Sequence, residues 1–192
     1  LREAIRDLEK KGLVTIVPRK GAFVRRVTVK DIEDIFPVRA NLEALAAGLA
    51  HPRISPEDLD EMRDILDRMQ ADVKSSDTKS HWRHHSTFHE IFINASHNHV
   101  LIEILSRLRL HSLWYRFSYK YYEENFEKQY LIHEKIYKLF ANPKANVKKL
   151  EKLVHEHIEV AFEKFVGYLT KKKEDANRII PIDNAMDSSH GR

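Results

Sequence analysis

Glycine and proline are scarce in this sequence, and their scarcity limits the folds that the chain can adopt. Only five glycines and six prolines occur among its 192 residues, whereas sandwiches and barrels need many turns, which these two residue types favour. Leu, Ile, Glu, Lys and Arg, which suit helices, are abundant. The sequence therefore predicts an all-α fold, and its 42% of hydrophobic residues are enough for one sizeable core.

The composition also excludes some kinds of protein. The chain has no cysteine, which rules out disulfides and thiolate metal sites and fits a reducing compartment. Its longest apolar runs are too short to span a bilayer, and no signal-peptide core follows its first residues. We expect a cytoplasmic protein without a membrane segment, in which nitrogen and oxygen atoms would bind any metal.

The N-terminal segment predicts a short helix followed by a basic β-hairpin. Apolar residues recur at helical spacing over 1–11, and Gly12 ends that helix as a C-cap. Two β-rich runs, 13–17 and 22–27, flank a turn that carries basic residues. A helix and a basic hairpin in this order indicate a winged helix, although a solvated turn explains the hairpin's charges equally well. Because the chain opens on Leu1 inside a helical pattern, we expect that a preceding part has been lost.

Beyond this segment, apolar residues recur at helical spacing almost to the end of the chain. The predicted helices begin near Val29, Pro56, Asp77, Asn98, Glu123 and Asn146. In the helix that follows Asn98, the apolar residues that we expect to face the core are Val100, Leu101, Ile104, Leu105, Leu108 and Leu110. We divide the chain into a winged-helix part at 1–27, a helical domain at 28–175 and a loose tail at 176–192.

Several histidines fall on these predicted helices. His85 and His89 are four positions apart and so project from one face of a helix. His133 and either His155 or His157 lie on later helices, and together the imidazoles form a candidate metal site within a bundle. The alternative is that these are ordinary residues of amphipathic helices, half-buried and hydrogen-bonded.

The first 50 residues resemble the end of a GntR-family DNA-binding domain that continues into its effector domain. The motif LEKKGLV at 8–14 matches the end of the family's recognition helix, and PRKGAFV at 18–24 matches its wing. The resemblance implies that the first two helices of the DNA-binding domain are missing from this chain. It also implies operator DNA as a partner. The candidate DNA-binding residues are Arg2, Arg6, Arg19 and Lys20.

The rest of the chain resembles the FadR C-terminal (FCD) subfamily of effector domains. Phe88-His89, Ile132-His133-Glu134 and Glu156-His157-Ile158 match its three histidine motifs, whereas His85 stands where the family has an aspartate. The resemblance implies an antiparallel bundle of six or seven helices around a divalent metal, Zn or Ni by ligand chemistry. The predicted ligands are His85, His89, His133 and His157.

In such regulators the metal binds a small organic acid, and effector binding is coupled to DNA binding by a homodimer. Arg39 and Asn98 are effector-binding candidates by the resemblance, and a salt bridge to Glu43 is the alternative for Arg39. Further candidates on the predicted helix after Asn98 are Arg107, Arg109 and Arg116.

These patterns predict a ligand-responsive transcriptional regulator rather than an enzyme. A helical-bundle metalloenzyme is the first alternative, but the chain has neither an HExxH motif nor the paired ExxH motifs of di-iron bundles. A dimerising scaffold with an unoccupied histidine cavity is the second, and the replacement of the family aspartate by His85 favours it.

Overall fold

The computed structural model describes residues 1–10, 12–24, 29–118 and 125–171, without the side chains of 29, 109–118, 164, 165 and 168–171. The described part contains seven α-helices and one two-stranded antiparallel sheet. This confirms the mostly helical fold with a small hairpin near the N-terminus. The tail predicted at 176–192 lies outside the described residues.

The N-terminal unit consists of helix α1 (Arg2–Lys10) and strands β1 (Val14–Val17) and β2 (Gly21–Val24). Gly12, at a φ of 70°, ends α1, where its amide donates to the carbonyl of Glu9 at 2.8 Å. Only a residue without a Cβ adopts this left-handed conformation at little cost. The predicted C-cap is therefore confirmed.

The hairpin turn places a basic residue in an uncommon conformation. The amide of Lys20 donates to the carbonyl of Val17 at 3.0 Å, which closes the turn. Arg19, at the third position of this turn, has a φ of 65°, in a region where glycine or asparagine is usual. Its side chain is exposed, so the tip of the hairpin presents a positive charge to solvent.

The remaining helices form a bundle of six. They are α2 (Val29–Ala50), α3 (Pro56–Ser75), α4 (Thr78–Ala95), α5 (His99–Ser118), α6 (Phe126–Phe140) and α7 (Val147–Lys171). Helix α2 packs on α4, α5 and α7, whereas α3 packs on α4 and α6. The core between these helices is apolar, and its largest fully buried side chains include Phe88, Phe92, Phe140, Met62 and Leu66.

Side-chain caps fix the first turns of the bundle helices. Ser55 and Asp58 form a reciprocal capping box at the start of α3. Asp77 accepts from the amide of Ser80 at 3.0 Å at the start of α4, and this bond holds the pKa of Asp77 below its ordinary value. Asn125 accepts from the amide of Lys128 at the start of α6. The start predicted for this helix, near Glu123, lies outside the described residues, which resume at the N-cap Asn125.

One prediction about the core is partly wrong. Two of the six apolar residues that we expected to face inward from α5, Val100 and Ile104, are 69% and 43% exposed. On the neighbouring helix α2, Val38 and Leu45 are also about half exposed. Apolar residues thus lie on the outer faces of two adjacent helices, where helical periodicity alone cannot distinguish a core from a contact surface. No helix in the described ranges is long and apolar enough to cross a membrane.

Candidate metal centre

Four buried histidines meet inside the bundle. His85 and His89 come from α4, His133 from α6 and His157 from α7. One nitrogen of each ring lies within 4.8 Å of the corresponding nitrogen of the other three. The structure thus brings together all four predicted ligands, which are called the histidine cluster below.

The tautomers of two of these rings follow from their hydrogen bonds. Nδ1 of His133 lies 2.7 Å from the carbonyl oxygen of Gln129, which can only accept. Nδ1 of His89 lies 2.5 Å from Oε2 of Glu43, and a carboxylate likewise accepts. Each Nδ1 therefore carries a proton, and each ring, when it is neutral, directs a lone pair from Nε2 toward the centre of the cluster.

The two Nε2 atoms of His89 and His133 are only 3.0 Å apart. Two lone pairs at this distance repel one another unless a cation lies between or beside them. A proton shared between these two rings would relieve the repulsion of this pair alone, whereas a metal ion would bind a lone pair from each of the four rings. The arrangement of the donors therefore fits a metal ion.

The distances agree with this fit. Four nitrogens bound tetrahedrally to zinc at about 2.1 Å lie about 3.4 Å apart. The contact of 3.0 Å is close to this spacing, and all four nitrogens lie within 4.8 Å of one another. Imidazole suits Zn, Ni, Cu and Fe, and the absence of cysteine disfavours softer ions.

A buried ion pair supports the cluster from α2. Glu43 is fully buried, and while its Oε2 accepts from His89, its Oε1 accepts from Nε of Arg39 at 2.7 Å. Carboxylates commonly hold metal-binding histidines in this way, by fixing the tautomer and making the ring more basic. Arg39 in turn neutralises the carboxylate and stacks near the ring of Phe36.

The structure places the predicted effector residues in different environments. Arg39 lies beside the cluster and forms a salt bridge with Glu43, which was the alternative role predicted for it. Asn98 is half-buried and caps α5 by accepting from the amide of Leu101. Arg107 was expected near a cavity, but it is exposed and pairs with Glu103. The side chains of Arg109 and Arg116 lie outside the described residues.

The predicted DNA-binding residues all lie on the surface of the N-terminal unit. Arg2 and Arg6 are exposed and four positions apart, on one face of α1. Arg19 and Lys20 are exposed at the hairpin tip. Their role in binding DNA stays a prediction.

Sequence reasoning missed two partners of the cluster. Glu43 was considered only as a partner of Arg39, although it lies on the same buried face of α2 as Ala40 and Ala47. A carboxylate among apolar residues is the signal that could have identified it. Gln129 was not singled out, and its position four residues before His133 is the corresponding signal.

Comparison with known proteins identifies the family. The FCD domain model matches residues 34–160, which include the whole histidine cluster. The chain belongs to the FCD domain family. This confirms the resemblance found from the histidine motifs.

Among curated relatives, the chain is similar to the HTH-type transcriptional repressor GlaR of Escherichia coli strain K12. The two are 32% identical over 121 residues, which cover 61% of this chain and 55% of GlaR. The uncharacterized HTH-type transcriptional regulator YdhC of Bacillus subtilis strain 168 is 30% identical over 109 residues, which cover 56% of this chain and 49% of YdhC. The chain thus spans about half the length of the curated relatives it matches. Both are named as transcriptional regulators rather than enzymes.

Solved structures share the fold. Escherichia coli McbR/YncC matches with a TM-score of 0.71 at 17% identity, covering 90% of this chain and 84% of that protein. A putative transcriptional regulator GntR from Rhodococcus sp. RHA1 also has a TM-score of 0.71, at 19% identity, and covers 86% of this chain and 78% of its own. At these identities the likeness concerns the fold alone.

The support that Glu43 gives to His89 can be measured. We expect Glu43→Gln to lower the affinity of the chain for Zn²⁺ by about 10- to 100-fold, because the ring loses a charged partner. It should also destabilise the metal-free fold by about 3–5 kcal/mol, because Arg39 is left as an unpaired buried charge. A chelator competition assay and urea denaturation measure the two effects.

Glu33→Gln is the matched control, since Glu33 is exposed on the same helix. It should change neither quantity appreciably. Unaltered zinc affinity in a folded Glu43→Gln variant would contradict the supporting role.

Proposed function

We propose that this chain is the effector-sensing part of a GntR-type, DNA-binding transcriptional regulator, and that its histidine cluster binds a divalent metal and a small carboxylate effector. The observation that carries the proposal is the convergence of four buried imidazoles in an FCD bundle. The names of the relatives support a role in transcription. A regulator of this kind acts in the cytoplasm, where its operator is found.

The charges around the cluster favour an anionic effector. Neutral imidazoles carry no charge, and Glu43 is already neutralised by its bond to Arg39. The charge of a divalent ion would therefore remain uncompensated in the core, and burial makes such an excess costly. A carboxylate bound at the ion would offset it. The ion would attract the carboxylate, and the four histidines would hold the ion in place.

The metal site is tested by comparing the chain with a His89→Ala, His133→Ala double variant. We expect about one divalent ion per protomer in the parent and almost none in the variant, because two of the donors are gone. Elemental analysis after dialysis without chelators gives the ratio, and thermal denaturation with and without added Zn²⁺ gives the linked stabilisation.

A His99→Ala, His155→Ala double variant is the matched control. His99 is exposed and His155 pairs with Glu159 outside the cluster, so the metal content should equal that of the parent. If the parent contains no metal and none stabilises it, the scaffold with an unoccupied histidine cavity becomes the better reading.

DNA binding is tested in a version of the protein that carries a complete winged helix. Replacing Arg19 by Asn and Lys20 by Gln should weaken binding and reduce the dependence of log K on log salt by about one unit for each lost phosphate contact. Asn tolerates the left-handed conformation of Arg19, so the hairpin should keep its shape. Fluorescence anisotropy at several salt concentrations measures the slope.

Lys138→Gln with Lys152→Gln removes the same charge from exposed positions of the bundle and should leave the slope unchanged. If both double variants lost the same DNA affinity, the loss would come from the net charge alone. That result would contradict a direct contact between the hairpin and DNA.

Exposed apolar residues support a homodimer. Val38 and Leu45 share a face of α2, and Val100 and Ile104 share a face of the adjacent helix α5. Contiguous exposed apolar surface commonly marks an interaction site.

We expect Ile104→Glu to convert the dimer into a monomer, because a charge would be buried at the apolar interface. Light scattering measures the change in mass. Leu131→Glu, at an exposed position on α6, should leave the dimer intact, and a parent that is already monomeric would refute this assignment.

A further inference from the structure

A second pair of buried polar side chains lies one helical turn from the histidine cluster. His81 is four residues before His85 on α4, and Gln129 is four residues before His133 on α6. Nε2 of His81 lies 3.1 Å from Oε1 of Gln129, and both side chains are buried. This His81–Gln129 pair joins the same two helices as His89 and His133. On α6, Gln129 lies about 6 Å from His133 along the helix axis.

The side-chain amide of Gln129 has more hydrogen-bonding capacity than its neighbours use. Its Oε1 faces His81, but its Nε2 is buried and has no hydrogen-bond partner among the residues that the structure describes. With Oε1 toward His81, the ring nitrogen Nε2 of His81 is the donor of this bond, and Nε2 of Gln129 is the donor that remains without a partner. Buried donors nearly always have a hydrogen-bond partner in folded proteins. We therefore expect a bound molecule to supply the oxygen that accepts from this amide.

The surroundings of the pair suit one end of a small organic anion whose other end is at the histidine cluster. The half-buried rings of Trp82 and Phe126 border it, with the Phe126 centroid 4.3 Å from that of His81. His81 and Gln129 both lie in the first turns of their helices, and the positive ends of two helix dipoles favour negative charge there. An apolar wall and a buried donor together can bind an elongated acid.

We propose that the side-chain amide of Gln129 binds a second oxygen acceptor of the effector, while the effector's first carboxylate is at the metal. This inference rests on the proposed function, because it assumes a carboxylate at the histidine cluster. It assigns a substrate class, namely small acids that carry a second carboxylate or a carbonyl group about one helical turn from the first. Gln129 is then a specificity-determining residue, and acids without the second acceptor bind weakly.

The test compares succinate with butyrate, which has the same number of carbons but lacks the second carboxylate. Calorimetric titration of the zinc-loaded chain should show a preference for succinate of at least about tenfold, as expected for one well-made hydrogen bond to a charged group. Gln129→Leu should abolish the preference and keep the affinity for butyrate. Because this change leaves the net charge unaltered, a preference that came only from the field of the ion would persist.

A second variant covers the possibility that Gln129→Leu does not fold. Gln129→Glu keeps an oxygen for His81 but removes the donor, and it should also abolish the preference for succinate. Neither substitution touches the carbonyl oxygen that holds His133. The matched control is Gln70→Leu, at an exposed position on α3, which should retain the tenfold preference.

The outcomes separate this inference from the proposal on which it rests. Equal affinities for the two acids in the parent, or the same preference in the parent and in both Gln129 variants, would overturn the role of Gln129 and leave the carboxylate effector standing. If neither acid binds to the zinc-loaded chain, the carboxylate effector of the proposed function fails, and the role of Gln129 fails with it.

Discussion

The contact between His89 and His133, whose Nε2 atoms lie 3.0 Å apart, is the constraint on which the centre of this bundle depends. It is unfavourable for two neutral rings in the tautomers that their other bonds select. Those other bonds, to Glu43 and to the carbonyl of Gln129, come from α2 and from α6 itself. The helices are therefore held in an arrangement that directs electron pairs at one point, and an electrophile at that point would relieve the repulsion.

The balance of charge around this point differs from the family pattern. With an aspartate at position 85, one negative charge would lie among the ligands themselves. In this chain His85 replaces it, and the buried carboxylate of Glu43 beside the cluster is bonded to Arg39. If the cluster binds a divalent ion as proposed, these residues leave the charge of the ion uncompensated, and the identity of residue 85 then bears on the charge of the molecule that the domain can bind.

Local features of the fold were predictable from the sequence, whereas contacts between distant segments were not. Caps such as Gly12 and Ser55 act within a few residues, and the four histidines followed from spacing together with a family resemblance. The bond between Glu43 and His89 joins residues 46 positions apart, and no periodicity specifies it. Val100 and Ile104 were misplaced for a related reason, since an exposed apolar stripe on a helix has the same spacing as one that faces a core.

The distribution of the cluster along the chain has a consequence for folding. His89 and His133 are 44 residues apart, and His157 follows on the last helix of the bundle, so an ion bound by all of them would close two long loops at once. Closing long loops removes conformational freedom mainly from the unfolded chain. In a chain without a single cysteine, such an ion would be a reversible crosslink, and the supply of metal would then determine how much of the domain remains folded.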